Sequence, residues 1–216
     1  MTEPDHSAQT RVALVRHGES VSNAQGRFAG HGPTPLSERG RAQAARAARV
    51  IADRLRPTAI VSSDLPRALQ TAEVLADVAG LDVEVDPGFR ERGLGVLEGL
   101  ALDEVRRAHP DAWRRLAEVD PDWAPDGGES ARGAFERVGA ALDAVVARHA
   151  GGRVAVVSHG FAIFCAFAHA CGIDPFAAGT RAYIRPDNAS VTALARVGAA
   201  WRIDAVNDTH HLRDGA

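Results

Sequence analysis

The sequence predicts an α/β fold, a three-layer sandwich in which helices flank a mostly parallel central sheet and a small helical cap is inserted. Short apolar runs alternate with longer segments of helical periodicity along the 216 residues, and such alternation is typical of parallel strands joined by crossover helices. Two of these runs, 11–15 and 153–157, lead into the pairs His17-Gly18 and His159-Gly160. Ligands bind beyond the carboxyl ends of parallel strands, so we expect a paired-histidine site there.

Each element has its own local evidence. Ser37 as N-cap and Pro57 beyond the end predict the first long helix, and Gly80 closes the second. The predicted elements are, in order, strand 11–15, helix 37–55, strand 58–62, helix 65–79, strand 83–86, short helical pieces over 102–123 broken by Pro110 and Pro121, helix 129–149, strand 153–157, apolar helix 161–171, and a strand pair at 190–197 and 201–206.

The chain reads as one domain over residues 11–216, with a polar, disordered tail at 1–10 and a cap insertion at about 94–129. No apolar run approaches the ~18 residues of a membrane span, and the first residues have no signal-peptide core. Cys165 and Cys171 are six positions apart, which is not the spacing of a metal or redox pair. We expect them to be small apolar fillers of a cytoplasmic protein.

Composition removes several classes of protein. All 25 of the Lys and Arg residues are Arg, which excludes a phosphate-binding loop built on lysine and Schiff-base chemistry on a protein amine. Guanidinium groups favour forked recognition of phosphate or carboxylate. The net charge is -3 and the arginines are scattered among acids, so neither nucleic-acid nor membrane binding is expected.

Six segments carry a family resemblance. They are, in order, VRHGESVSN, GxxxxPLSERG, SSDLPRALQTA, FRERGLG, VVSHG and DNASVTAL. Together they resemble the histidine phosphatase superfamily, also called the phosphoglycerate-mutase-like family, over residues 11 to about 212. The resemblance implies a phosphohistidine mechanism that uses no metal and no cofactor.

The motifs also make chemical sense by themselves. A neutral imidazole can attack phosphorus, so His17 would be the nucleophile. Arg16 and Arg67 would hold the phosphate oxygens as forked donors, although a solvated helix arginine is the alternative for Arg67. His159 would add a donor, and Asn23 matches a phosphate-contacting position of the family. The glycines, Gly160 among them, would let backbone N–H groups approach the bound anion.

Glu91 is the candidate general acid, because a departing alkoxide needs a proton. It matches the acid position of the family in the segment FRER. The alternative is an ordinary ion pair with Arg90 or Arg92.

Hydrolysis is favoured over mutase transfer. The resemblance to the mutases would imply a tyrosine after the acid and a lysine further on. Arg92 follows Glu91 here, the chain has no lysine, and PDGGES at 125–130 resembles the phosphatase branch. We therefore expect a metal-independent phosphomonoester hydrolase acting on a small phosphorylated metabolite. A cofactor-dependent phosphoglycerate mutase and a noncatalytic phosphate-binding protein are the alternatives.

The cap is expected to line the leaving-group pocket. Its arginines have no role assigned from sequence: Arg92, Arg106, Arg107, Arg114 and Arg115. The physiological substrate stays open, and so does the oligomeric state, for which a homodimer is one candidate.

Overall fold

The computed structural model describes residues 9–118, 120–180 and 183–213. Within these ranges the strands are β1 (Thr10–Arg16), β2 (Ala59–Ser62), β3 (Val83–Val85), β4 (Arg153–Ser158), β5 (Val191–Val197) and β6 (Ala200–Asp208). The α-helices are α1 (Val21–Ala24), α2 (Glu38–Arg54), α3 (Pro66–Ala79), α4 (Leu102–Ala108), α5 (Pro110–Glu118), α6 (Ala131–Arg148) and α7 (Gly160–Ala170).

The strands form one sheet in the order β3-β2-β4-β1-β5-β6. The first four in this order are parallel, and β5 and β6 continue the sheet antiparallel. β1 is central, because it pairs with β4 on one side and with β5 on the other. The carboxyl ends of β2, β4 and β1 therefore meet at one edge of the sheet.

Two apolar layers cover the two faces of this sheet. Alternate residues of a strand point to opposite faces. Val12 and Leu14 of β1 belong to one cluster, with residues of α6 and α7, whereas Ala13 and Val15 belong to the other, with residues of α2 and α3. The predicted three-layer α/β sandwich is confirmed.

The ends of the elements follow their caps. Ser37 caps α2 by accepting from the Gly40 amide at 3.0 Å, as predicted. The long helix predicted from 129 begins instead at Ala131, because Ser130 is its N-cap and accepts from Gly133 at 3.0 Å. Likewise β3 ends before Asp86, whose side chain caps the following 3-10 turn.

Thr10 is part of the fold. It begins β1, is 4% exposed, and accepts a hydrogen bond from the Gly151 amide at its Oγ1. The predicted tail therefore ends before Thr10, and its residues 1–8 lie outside the described ranges. Among the described residues, none of the helices is long and apolar enough to cross a membrane.

The segment 94–129, predicted to be a cap insertion, contains a 3-10 turn, α4 and α5. Hydrogen bonds join it to the segment after α1. The Phe28 amide donates to the Leu100 carbonyl. The Arg27 side chain donates to the Gly99 carbonyl and to the Glu104 carboxylate, both at 2.7 Å. The predicted break at Pro110 is confirmed, since α4 ends at Ala108 and α5 begins at Pro110.

Candidate active site

Three adjacent strand ends bring their polar residues together. His17 follows β1, His159 follows β4 and Ser63 follows β2, and all three side chains are buried. The ring centroids of the two histidines are 5.0 Å apart. The two His-Gly segments recognised in the sequence thus form one cluster at the edge of the sheet.

Hydrogen bonds orient the ring of His17. Its Nδ1 is 2.6 Å from the Gly18 carbonyl, and its Nε2 accepts from Nε of Arg67 at 3.2 Å. This pattern assigns the proton to Nδ1 and the lone pair to Nε2. Burial, helped by the positive charges of Arg67 and Arg16, lowers the pKa of His17 well below its usual range. The ring is therefore a neutral imidazole at pH 7, which is the form that can attack an electrophile.

Arg67 is a fixed donor inside the site. It lies in the first turn of α3, is 1% exposed, and donates to the carbonyls of Gly30 at 2.8 Å and Gly32 at 3.3 Å. Thr71, one turn later, donates to the Arg67 carbonyl and accepts from the Gly18 amide. The alternative reading of Arg67 as a solvated helix arginine is wrong.

His159 holds an unpartnered polar atom. Its Nε2 is 2.8 Å from Oγ of Ser63, and that oxygen accepts from the Leu65 amide. We assign the Ser63 hydroxyl proton to the bond with Nε2, and under this assignment the proton of the His159 ring lies on Nδ1. His159 Nδ1 is buried and has no hydrogen-bond partner among the described residues. Burial and the nearby Arg67 lower the pKa of His159 well below its usual range.

Arg16 and Asn23 complete the donor set. Arg16 donates through Nη1 to the Pro186 carbonyl at 2.6 Å, while its buried Nε has no partner among the residues described. Oδ1 of Asn23 accepts from the Ser20 amide and from Nδ2 of Asn188, so the amide nitrogen of Asn23 is the part left for a ligand. Burial lowers the pKa of Arg16 and of Arg67, but guanidinium stays charged at pH 7.

Glu91 lines the same small cavity as His17 and Arg67. Its Oε1 accepts from the Arg92 amide at 2.9 Å and its Oε2 from the Phe161 amide at 3.2 Å. Its backbone is held from behind, because the Glu91 carbonyl accepts from His31 at 2.8 Å and from Arg137 at 3.4 Å. The carboxylate is thereby aimed at the cavity.

The alternative ion pair for Glu91 is wrong. Arg90 pairs through two nitrogens with Asp64, and the guanidinium of Arg92 donates to the carbonyls of Glu129 at 2.8 Å and Trp123 at 3.0 Å.

The glycine of the first pair has a different role from the predicted one. A Cβ on Gly18 would lie 2.2 Å from the Gly40 carbonyl oxygen, so the loop after β1 packs directly on the backbone of α2. The Gly18 amide is already donated to Thr71, and the interpretation that it meets an anion is wrong. Gly160 is the first residue of α7, and a Cβ there would lie 3.6 Å from the Arg16 guanidinium.

Two cavities adjoin the cluster. A cavity of about 300 Å³ is lined by His17, Arg67 and Glu91 among others, and Arg92 and Leu94 line it from the side of the predicted cap. A larger one of about 1040 Å³ shares Arg16, Asn23 and Phe161 with it. The described lining residues of the larger cavity include 175–177, 180 and 183–188 and none from 94–129. Among the described residues there is no group of three His, Cys, Asp or Glu arranged to hold a metal ion.

Most cap arginines have partners within the cap. Arg114 pairs with Glu118 at 3.1 Å and Arg115 with Asp120 at 2.8 Å. Arg107 donates to the Asp103 carbonyl at 3.2 Å. Arg106 lies beside it in the last turn of α4.

Sequence comparison identifies the family. A family model described as the histidine phosphatase superfamily, branch 1, matches residues 12–209. The chain belongs to this superfamily. Its relatives include a protein of Cronobacter sakazakii named probable phosphoglycerate mutase GpmB, which is 35% identical over 208 residues and 94% of each chain.

Solved structures of this histidine phosphatase superfamily match the fold. Bacillus stearothermophilus YhfR is 29% identical, with a TM-score of 0.85 over 94% of this chain and 100% of that one. The mycobacterial glucosyl-3-phosphoglycerate phosphatase is 36% identical, with a TM-score of 0.81 over 92% of this chain and 99% of that one. The protein is therefore an enzyme of a superfamily that holds both phosphatases and mutase-like members.

Several site residues escaped sequence reasoning. Ser63 and Asn188 lie inside the recognised segments SSDLPRALQTA and DNASVTAL. Their polar side chains next to predicted strands could have identified them as site residues. Asn188 donates to the His17 carbonyl at 3.2 Å. His31 and Arg137 carried no local signal, because their contact with the Glu91 carbonyl depends on the packing of distant segments.

Proposed function

We propose that this enzyme is a metal-independent phosphomonoester hydrolase that works through a phosphohistidine at His17. The observation that carries the proposal is that a nucleophilic ring nitrogen and buried N–H donors without acceptors belong to one cluster. The lone pair of His17 Nε2 accepts a hydrogen bond from Nε of Arg67, and two buried nitrogens of the same cluster, Arg16 Nε and His159 Nδ1, have no partner among the described residues. Donors without partners in a buried site are costly unless a ligand satisfies them. A phosphoryl group would supply the missing acceptor oxygens.

The chemistry then proceeds in two steps. The Nε2 lone pair of His17 attacks phosphorus, the P–O bond to the leaving group breaks, and Glu91 in its protonated form gives its proton to the departing oxygen. Arg16, Arg67, His159 and the amide of Asn23 stabilise the charge on the phosphoryl oxygens.

In the second step water attacks phosphorus, and the P–N bond breaks as its electron pair returns to Nε2 of His17. The Glu91 carboxylate takes one proton from that water, phosphate leaves, and His17 is neutral again. We infer that the arginines and His159 supply the positive charge that a metal ion would otherwise bring. The free thiols of Cys165 and Cys171 fit the reducing cytoplasm, in which we place this activity.

A phosphoglycerate mutase is the second candidate, because relatives at 35% identity carry that name. A mutase must hold a second anionic group while the phosphohistidine waits. Arg92, Arg114 and Arg115 are engaged with cap carbonyls and carboxylates, which favours hydrolysis. A noncatalytic phosphate-binding role is disfavoured, since it would not need a buried neutral imidazole and a carboxyl group lining one cavity.

Rapid quench with ³²P-labelled substrate tests the proposal. We expect a protein adduct that is labile to acid and stable to base, and its absence in His17→Ala. An acid-stable adduct, or label retained in the variant, would overturn the assignment. In the same experiment, phosphate release from 3-phosphoglycerate or another monoester should exceed formation of 2-phosphoglycerate with or without 2,3-bisphosphoglycerate. A large primer-dependent mutase rate would select the second candidate.

A further inference from the structure

The larger cavity begins where the proposed phosphate site ends. It has a volume of about 1040 Å³ and shares Arg16, Asn23 and Phe161 with the cavity that holds His17 and Glu91. A leaving group attached to a phosphoryl group at His17 can therefore extend directly into it.

Apolar and aromatic side chains form just over half of the wall of this cavity. Phe161 and Phe164 lie near the start of α7 with their ring centroids 5.8 Å apart. Tyr183, on the facing segment, is 76% exposed. The other apolar lining residues are Pro175, Phe176, Ala177, Ile184 and Pro186.

Most polar groups of the wall are already engaged. Asn188 donates to the His17 carbonyl and to Asn23. Asp187 accepts from Asn207 at 2.9 Å, and the Thr180 hydroxyl donates to the Asp174 carbonyl at 3.1 Å. Arg185 is an exposed cation of this wall that forms no hydrogen bond or ion pair with another described residue.

We propose that the leaving group of the substrate carries a flat, apolar ring system larger than one ring, which packs on Phe161, Phe164 and Tyr183. The inference rests on the proposed hydrolase function and names its substrate class, aromatic phosphomonoesters. Each Å² of apolar surface removed from water contributes about 25 cal/mol. A small polar leaving group such as glycerate does not cover these ring faces, so burial of apolar surface contributes no binding free energy.

The test compares kcat/KM for phenyl phosphate and 1-naphthyl phosphate, whose phenols ionise at similar pH, with 3-phosphoglycerate as the small polar substrate. Because kcat/KM reports steps through phosphorylation of His17, slow hydrolysis of the intermediate does not distort the comparison. We expect 1-naphthyl phosphate to be preferred over phenyl phosphate by about tenfold, and over 3-phosphoglycerate by more.

Variants locate the preference. Tyr183→Ala and Phe164→Ala should each lower the naphthyl-to-phenyl ratio by at least about threefold, mainly through the naphthyl substrate. Tyr183→Phe keeps the ring and should keep the ratio. Ile203→Ala removes an exposed apolar side chain on β6, outside this cavity, and should change neither rate.

The outcomes separate the two proposals. Hydrolysis of phenyl phosphate at the same kcat/KM as the naphthyl ester, or a better rate on 3-phosphoglycerate, would overturn the substrate class while leaving the hydrolase intact. A naphthyl preference that survives both alanine variants would also overturn it. No hydrolysis of any substrate together with no label on His17 would overturn the hydrolase function and this inference with it.

Discussion

At the scale of single residues, the site depends on protons placed by neighbours. Arg67 leaves the lone pair of His17 on Nε2, and Ser63 leaves the proton of His159 on Nδ1. Glu91 has both carboxylate oxygens on backbone amides, so it is held in place without a cationic side chain as partner. Each group is thus oriented before a substrate arrives, which is how fixed donors lower a barrier.

Glu91→Gln should damage poor leaving groups far more than good ones. A general acid contributes about 10²–10⁴-fold where the departing oxygen needs a proton. We expect kcat/KM for an alkyl phosphate to fall by about that factor, whereas p-nitrophenyl phosphate, whose phenolate leaves unaided, should lose much less. A burst of p-nitrophenol in the variant would separate phosphorylation from hydrolysis of the intermediate. Equal losses for both substrates in the phosphorylation step would mean that Glu91 orders the site and another group is the acid.

At the scale of elements, the loop after β1 is held by close backbone packing on α2. A Cβ on Gly40 would lie 1.9 Å from the Glu19 carbonyl oxygen, and one on Gly18 would lie 2.2 Å from the Gly40 oxygen. In the same loop, the Glu19 carboxylate accepts from the Ser37 hydroxyl, and the Glu19 amide donates to the side-chain oxygen of Gln43. The position of His17 is therefore coupled to the first turn of a helix more than twenty residues later in the chain.

Gly40→Ala should lower the free energy of unfolding by at least about 2 kcal/mol, since backbone must move to admit the methyl group. It should also lower kcat/KM, because the displaced loop carries His17. Gly26→Ala is the matched control: Gly26 has φ +64 and open space around a Cβ, so the cost is only the backbone strain of about 1 kcal/mol. Urea denaturation measures both. Equal losses of unfolding free energy in the two variants would show that the loop after β1 and α2 move apart at little cost.

At the scale of the whole molecule, the sheet places the site and irregular segments shape it. Apolar runs and caps predicted the strands and main helices well, and the two His-Gly segments predicted the cluster of His17 and His159. The cavity wall at 175–177, 180 and 183–188 was missed because irregular backbone has no periodicity to read. The contact of Arg137 with Glu91 was missed for a different reason. Many arginines of this chain lie on exposed helix faces, and nothing in the sequence around Arg137 distinguishes it from them.

Stability should fall as pH drops below about 6.5, the ordinary pKa of histidine. His17 and His159 have pKa values well below that in the folded protein, mainly through burial, so protons bind the unfolded chain first and favour unfolding. Two such groups give a slope of up to about 2.7 kcal/mol per pH unit between pH 6.5 and their folded pKa values. Urea midpoints from pH 7.5 to 5.5 measure it.

The double variant His17→Asn, His159→Asn should show a shallower slope over the same range. An unchanged slope would assign the pH dependence to other groups, such as His211, whose pKa is also lowered by burial.

Removal of divalent metal should leave the turnover number unchanged. We attribute the neutralisation of the phosphoryl charge to Arg16, Arg67 and His159, which are built into the fold. The measurement is kcat before and after dialysis against a chelator. Magnesium, manganese or zinc is then added back to test whether any lost activity is restored. Activity that collapses and returns with one ion would contradict the mechanism proposed for His17.

The position of β1 in the sheet has a consequence for the nascent chain. Both of its hydrogen-bonding neighbours, β4 and β5, begin at Arg153 or later. At ribosomal rates of about 5–20 residues per second, roughly 7–30 s separate the synthesis of β1 from that of its first partner. During that interval an apolar strand has two unpaired edges, which is the condition for misassociation. The incomplete chain is thus expected to be prone to association during translation, and no activity can arise before β4 and the His159 that follows it have been made.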